Sequence, residues 1–174
     1  MFKNTIFRRM TALVLTLALA AAAALPGLAV YPMPIQTASE TEAVYLFNAD
    51  TGKTILNQNA DQQQYVASLT KLMTALLLLE SGKDLNGEVT VPTALTQEFR
   101  DIQNANGTTM GLRIGETVRR IDLLNAMLIV SANDAASVIA YDVGGSVLDF
   151  VKQMNARAQE LGCTCLLYTS PSPR

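Results

Sequence analysis

The chain of 174 residues is 49% hydrophobic and 16% charged, a composition that supports a packed core and excludes a disordered chain. Its formal net charge is −2, but residues 1–29 contain three basic residues and no acid, so the rest carries a net −5, which argues against a nucleic-acid partner. The absence of histidine excludes a Ser-His-Asp triad and removes the commonest transition-metal ligand. Chemistry in this chain must therefore use hydroxyls, lysine, carboxylates or amides.

The first 29 residues have the features of a secretory signal peptide. A basic start with Lys3, Arg8 and Arg9 precedes an apolar stretch of 15 residues, and small residues Gly27 and Ala29 follow at a cleavage position. The alternative is an uncleaved membrane anchor, although the stretch is short for a bilayer core of about 30 Å. We predict a signal peptide over residues 1–29 and a polar, proline-containing linker over residues 30–42, so the rest of the chain is expected to act outside the cytoplasm.

Residues 43–59 alternate apolar and polar side chains around Asn48 and Gly52, which predicts a β-hairpin. The hairpin contains the letters TGKT, but the position five before Gly52 is Phe47 rather than glycine, so a phosphate-binding loop is rejected.

A nearly all-apolar helix is predicted over residues 68–80, with a stop at Ser81-Gly82 and a turn and a short strand next in the chain. Residues 97–118 show turn signals and little periodicity and are predicted to be rich in loops. Residues 119–130 predict a helix with Ile121, Leu124, Met127 and Leu128 on its apolar side, and with Ile129 and Val130 less well placed on that side. Helices are also predicted up to Gly144-Gly145 and over residues 146–162. Apolar residues of the last helix repeat at three- and four-residue steps and are predicted to form its core face: Val147, Phe150, Val151, Met154, Ala158 and Leu161. The order of elements indicates an α+β fold.

The apolar helix begins with Ser68, followed three residues later by Lys71. Residues at i and i+3 share a helix face, so the Ser68 hydroxyl and the Lys71 amine can meet. Burial among leucines lowers the pKa of a lysine, and the positive end of the helix favours a developing alkoxide. The pair predicts a nucleophile beside a base. The alternative is a capping serine and a lysine whose amine extends to solvent, and for an isolated S-x-x-K it is the commoner case.

A second polar element, Ser131-Ala132-Asn133, interrupts two apolar helical segments. Ser131 and Asn133 in such a turn could face the first site and add a proton relay and an amide that orients a carbonyl. The alternative is that Ser131 caps the helix that begins near Asp134.

Together the two motifs resemble the penicillin-recognising serine enzymes, whose signatures include S-x-x-K, an S-x-N element and K-T-G. The segments ASLTKLMTALLLLE and LLNAMLIVSANDAASVIA, with GLRIGETV and FVKQMNARAQELG, are similar to the D-alanyl-D-alanine carboxypeptidases, the low-molecular-mass penicillin-binding proteins. The resemblance covers residues 43–162. It implies the penicillin-binding and β-lactamase type of transpeptidase fold, an antiparallel sheet with a helical cluster.

The resemblance implies a role for each matching residue. Ser68 is the nucleophile that attacks the penultimate D-alanine of a peptidoglycan stem peptide, and its N–H supplies half of an oxyanion hole. Lys71 is the general base, and Ser131 relays the proton to the leaving amine. Asn133 binds the substrate carbonyl and supports Lys71. β-Lactam antibiotics are the implied inhibitors, and neither a metal nor a cofactor is implied. The implied location is the periplasmic or extracytoplasmic face of a bacterial cell membrane.

Two departures from the family pattern bear on activity. K-T-G is absent, because Lys53-Thr54 precedes Ser68 and is followed by Ile55. The family domain continues for roughly another hundred residues, so residues 43–162 are expected to be an incomplete peptidase domain, and the chain an inactive fragment.

Residues 163–174, with Cys163 and Cys165, match no family segment and are predicted to be a foreign or frameshifted tail with no redox or metal role. Many family members carry a second β-rich domain and a C-terminal amphipathic anchor, so membrane association through an anchor outside this sequence is a further expectation.

Two other functions stay open at this point. A β-lactamase has the same fold and nucleophile, but here Ser131-Ala132-Asn133 replaces the S-D-N of the common class. A non-catalytic secreted protein with a penicillin-binding-like fold is the other alternative.

Overall fold

The computed structural model describes residues 40–164 and 166–173, so the predicted signal peptide and nearly all of the predicted linker lie outside the described residues. The described elements, in chain order, are β1 (Val44–Asn48), β2 (Lys53–Gln58), α1 (Thr70–Glu80), β3 (Glu88–Thr90), α2 (Thr96–Asn104), β4 (Thr117–Arg119), α3 (Arg120–Ile129), α4 (Asn133–Gly144) and α5 (Val147–Glu160). The mixture of helices and small antiparallel sheets confirms the α+β prediction.

The predicted hairpin is present as β1 and β2, which pair antiparallel with a bulge between Leu46 and Phe47. Its turn is closed by Asn48, whose side chain accepts a hydrogen bond from Thr51 N at 2.9 Å and whose carbonyl accepts one from Gly52 N at 3.0 Å. Such side-chain bonds explain why asparagine favours turns.

Helix α4 lies at the centre of the helical cluster and packs against α1, α3 and α5. Its first two turns are buried on every side, and small residues such as Ala135, Ala136 and Ala140 let its neighbours approach closely. The predicted stop is confirmed, because α4 ends at Gly144 and Gly145 follows with a φ of +76°, a conformation that costs glycine little.

Two apolar clusters cover the faces of this central helix. The first joins α4 to α1, α3 and the β3 region, with Leu78, Leu123 and Ile139 at its centre. The second joins α1, α4 and α5 around Phe150 and Met154. At about 25 cal/mol per Å² of apolar surface, this burial is the main force that holds the helices together.

Helix α5 begins with a capping serine. The Ser146 hydroxyl accepts a hydrogen bond from Asp149 N at 3.0 Å, which caps the helix. Phe150, Val151 and Met154 are buried as predicted, whereas Leu161, predicted on the same face, is exposed just beyond the helix end.

The prediction of a loop-rich segment over residues 97–118 is wrong in part. Thr96–Asn104 forms α2, and Phe99, which is partly buried, packs against the core. Thr117–Arg119 forms β4, which pairs antiparallel with β3. Phe99 and Ile102, the two apolar residues of α2, lie three positions apart on one helix face, a local signal that the neighbouring turn residues obscured. The partner of β4 is distant in the chain, so local periodicity contains no signal for that pairing.

The apolar side of α3 also differs from the prediction. Leu123 is fully buried although it was not expected to be, while Leu128 is 48% exposed. Ile129 and Val130, which were also predicted on the apolar side, are exposed as well. The helix is rotated so that Leu123, Leu124 and Met127 face the core.

Residues 166–173 pack against α1 and α5. The Thr74 hydroxyl on α1 donates to the Pro171 carbonyl at 2.6 Å, and the Asn155 side chain exchanges two hydrogen bonds with the backbone of Tyr168. Cys163 is a free, half-buried cysteine. The foreign origin of residues 163–174 stays a prediction, since these contacts do not bear on where the segment comes from. Within residues 40–164 and 166–173, none of the helices combines the length and apolar character that a membrane crossing requires.

Candidate active site

Ser68 lies at the amino-terminal end of α1, in a single 3-10 turn formed by Ala67–Leu69. Its side chain is exposed and makes no capping bond to the helix. The Ser68 Oγ instead lies 2.8 Å from the Ser131 Oγ. The serine is therefore placed at the positive end of the helix, with its hydroxyl bonded to the second motif rather than used as a cap.

Lys71 lies in the first turn of α1 and is 2% exposed. Its Nζ donates to the Ser131 Oγ at 3.1 Å and to the Asn133 Oδ1 at 2.6 Å. Burial lowers the pKa of this lysine below its ordinary value, because desolvation disfavours the ammonium. Lys71 is thus a buried amine bonded inside the site and not a surface charge that extends to solvent.

The turn between α3 and α4 carries Ser131 and Asn133. Ser131 has a φ of +60°, an unusual conformation for a residue with a side chain. Two backbone bonds fix the turn, from Ala132 N to the Ala126 carbonyl at 3.2 Å and from Asn133 N to the Thr108 carbonyl at 2.8 Å. The structure records no side-chain cap for α4, so Ser131 does not serve as the capping serine of the alternative.

The four predicted residues come together as one hydrogen-bonded network. The Ser68 hydroxyl bonds to Ser131, Ser131 accepts from Lys71, and Lys71 also donates to Asn133. The expected contact between Ser68 and Lys71 is replaced by a two-step connection in which Ser131 is the link. A proton can therefore move between the Ser68 hydroxyl and the Lys71 amine along existing hydrogen bonds.

Residues 107–112 support this network, a role that no pattern in the sequence had predicted. Asp134, which was noted only as a helix start, is 2% exposed and accepts hydrogen bonds from three consecutive N–H groups of the segment. One signal was available in the sequence: Asp134 follows the S-x-N element directly and precedes an apolar helix. Aspartate is almost never fully buried without partners, so an acid at this position implies a segment that binds it.

Comparison with known proteins agrees with this site. The family model for D-alanyl-D-alanine carboxypeptidases matches residues 32–172. The chain belongs to the D-alanyl-D-alanine carboxypeptidase family. A D-alanyl-D-alanine endopeptidase of Pseudomonas aeruginosa is 34% identical over 140 residues, which cover 80% of this chain and 43% of that relative. The D-alanyl-D-alanine carboxypeptidase DacF of Bacillus subtilis is 31% identical over 140 residues, which cover 79% of this chain and 34% of the relative.

Solved structures of the family have the same fold. The Streptomyces K15 DD-transpeptidase superposes with a TM-score of 0.66 and 29% identity, covering 74% of this chain and 50% of that chain. Penicillin binding protein 5 from Haemophilus influenzae superposes with a TM-score of 0.60 and 31% identity, covering 71% of this chain and 36% of that chain. The chain therefore spans half or less of the length of these relatives, and it has their type of fold.

Proposed function

We propose that the protein is a serine D-alanyl-D-alanine carboxypeptidase, which trims peptidoglycan stem peptides through an acyl-enzyme. The observation that carries the proposal is the network in which Ser131 joins the exposed hydroxyl of Ser68 to the buried amine of Lys71. Family membership supports it, and Pseudomonas and Bacillus relatives bear the names of D,D-peptidases.

In the proposed acylation step, the Ser68 Oγ attacks the carbonyl carbon of the penultimate D-alanine. The hydroxyl proton passes to the Ser131 Oγ as the Ser131 proton passes to neutral Lys71. The tetrahedral intermediate then collapses, the C–N bond to the terminal D-alanine breaks, and the leaving nitrogen takes a proton back from Lys71 through Ser131. The Ser68 backbone N–H is assigned to the oxyanion, as one donor of the hole.

Asn133 is assigned to substrate binding. Its Oδ1 already accepts from Lys71 at 2.6 Å, so its Nδ2 is the group left to donate to a substrate carbonyl. The same bond holds the Lys71 amine in place beside Ser131. In the second step, water attacks the ester carbonyl as Lys71 takes its proton. The C–O bond to the Ser68 Oγ then breaks, and the Oγ takes the proton back from Lys71 as the acid product leaves. In a β-lactam, the amine that leaves the carbonyl remains covalently attached to the acyl group. Because no leaving group departs, the acyl-enzyme persists and the enzyme is trapped.

The proposed location is outside the cytoplasm, on the basis of the signal peptide predicted over residues 1–29. No K-T-G follows Ser131 in this sequence, so the group that would bind the substrate carboxylate is not assigned to any residue. Membrane attachment stays an expectation of the family resemblance alone.

A fluorescent penicillin tests the activity on the protein expressed from its own gene. Stable covalent labelling that is lost in Ser68→Ala supports the proposal, rapid release of the label indicates a β-lactamase, and no labelling overturns catalysis. A stem peptide ending in D-Ala-D-Ala then separates a carboxypeptidase, which releases D-alanine, from an endopeptidase, which opens only cross-linked peptides. Cell fractionation with and without residues 1–29 tests the location.

A further inference from the structure

Backbone N–H groups occupy all the acceptor sites of the Asp134 carboxylate. Its Oδ1 accepts from Met110 N at 3.0 Å and from Ala135 N at 2.9 Å, and its Oδ2 accepts from Gly111 N and Leu112 N at 3.0 Å each. A carboxylate has about four acceptor sites, so every site is filled. A φ of +84° at Gly111, which glycine adopts at little cost, lets three consecutive N–H groups converge on one side chain.

The segment held by Asp134 is in turn packed against Asn133. The Thr108 carbonyl accepts from Asn133 N at 2.8 Å, so the segment and the S-x-N turn are joined directly. A Cβ added to Gly107 would lie 2.8 Å from the Asn133 Nδ2 and 3.0 Å from the Ile102 Cγ2. The Asn133 amide therefore lies directly against residue 107, and its orientation depends on where this backbone is held.

We propose that Asp134 is a positioning residue of the acylation reaction. It fixes residues 107–112, and these hold the Asn133 amide with its Oδ1 on Lys71 and its Nδ2 free for the substrate. The proposal rests on the proposed function. Asp134 itself does not contact Ser68, Lys71 or Ser131 through any recorded hydrogen bond, so it acts through Asn133.

The geometry requires a carboxylate rather than a residue of the same shape. An amide at position 134 keeps one acceptor oxygen and turns an NH2 group towards two N–H donors. In either orientation of the amide, two of the four hydrogen bonds are lost, and the amide NH2 group faces two backbone N–H groups, which are also donors. Asp134→Asn should therefore release one part of residues 110–112 while leaving the side-chain volume unchanged.

The test is the rate constant of acylation by a fluorescent penicillin, measured for the protein expressed from its own gene. Asp134→Asn is expected to slow acylation about 10²-fold, the cost of displacing a positioned group by about 1 Å. Gly107→Ala, which leaves Asp134 intact and requires no left-handed backbone, should slow it similarly by pushing the Asn133 amide aside. Asp142→Asn is the matched control, since it alters a carboxylate on the same helix that pairs with Arg120 and should change stability but not the acylation rate.

A double-mutant cycle separates positioning from general damage. In the background of Asn133→Ala, Asp134→Asn should cost less than about threefold, because the group through which it acts is already gone. An undiminished loss in that background overturns the proposal, as does a wild-type rate in Asp134→Asn. If Asp134→Asn does not fold, Gly107→Ala in the same cycle with Asn133→Ala decides the question by the same criterion. Absence of labelling in the wild type overturns the proposed function itself and is thereby distinguished from a failure confined to Asp134.

Discussion

Lys71→Arg separates a catalytic base from a structural cation. The Lys71 Nζ has two recorded partners, Ser131 Oγ at 3.1 Å and Asn133 Oδ1 at 2.6 Å, and an arginine can donate to both. The substitution keeps the positive charge but cannot release a proton at any relevant pH. If the charge were all that mattered, arginine would be nearly neutral. If Lys71 takes the proton that leaves Ser68, acylation should slow by about 10²–10⁴-fold, the usual contribution of a positioned base.

The size of arginine must be controlled for, because Lys71 is 2% exposed and overpacking a core site costs about 1–3 kcal/mol. The assay is the acylation rate with a penicillin at several pH values, on variants matched for folding by circular dichroism. Lys83→Arg is the control, since Lys83 is partly exposed and pairs with Asp142 at 3.5 Å. The wild-type rate should rise with pH to a midpoint below the ordinary lysine value of 10.5, because burial lowers the pKa of Lys71. Equal rates for wild type and Lys71→Arg would refute the reasoning.

Three further predictions follow from the same contacts. Ser68→Ala should abolish labelling by penicillin yet cost no more than about 1 kcal/mol of stability, since the exposed hydroxyl loses only its bond to Ser131; retained labelling would remove Ser68 as the nucleophile. Lys71→Met should lessen the dependence of unfolding free energy on pH. The folded pKa of Lys71 lies below its unfolded pKa, so wild-type stability rises with pH between the two, and a variant with the same slope in urea titrations would contradict this. Arg120→Met should cost about 3 kcal/mol by leaving Asp142, whose side chain is 12% exposed, with only Lys83 as an ionic partner, and an unchanged urea midpoint would show that the pair contributes little.

The elements with strong local signals could be predicted from the sequence. The hairpin was set by Asn48 and Gly52, and the amphipathic repeat of Phe150 and Met154 identified the core face of α5. Each of these signals lies within one element, so no knowledge of distant partners was needed. Helix α2 was missed because it is short and has two apolar residues, Phe99 and Ile102, although these share one helix face.

The apolar helix α1 shows the same limit. An apolar residue at nearly every position predicts burial all round, but Leu69, Leu72 and Leu79 are 64%, 59% and 54% exposed. Composition gives the number of apolar side chains, whereas the number of neighbouring elements decides how many of them are covered. Met73, Ala75 and Leu78 are buried in the helical cluster, and Leu76 and Leu77 are partly buried against it.

The four residues singled out from the sequence lie together in the structure, but the hydrogen bonds that connect them differ from the expected ones. The spacing of Ser68 and Lys71 on one helix suggested direct contact, because residues at i and i+3 are neighbours. Ser131 lies between them in the structure, and the residue that makes this link is more than sixty positions from Ser68 in the chain. Helix periodicity contains no information about such a partner. Ser131 was assigned as a relay only through the family resemblance, and its hydrogen bonds to Ser68 and Lys71 could be established only from the folded structure.

Several residues around Ser68 are in energetically unfavourable states, which stability alone does not explain. Four described residues other than glycine have a positive φ, and two of them are asparagines, which tolerate that conformation. The other two are Ala67, directly before Ser68, and Ser131. Backbone strain of this kind costs on the order of 1–3 kcal/mol per residue, and the desolvated amine of Lys71 adds a further cost in the same place. A sequence selected for stability alone would remove all three features with single substitutions. Their concentration around one exposed hydroxyl indicates that the fold tolerates strain there in order to hold Ser68, Ser131 and Lys71 in line.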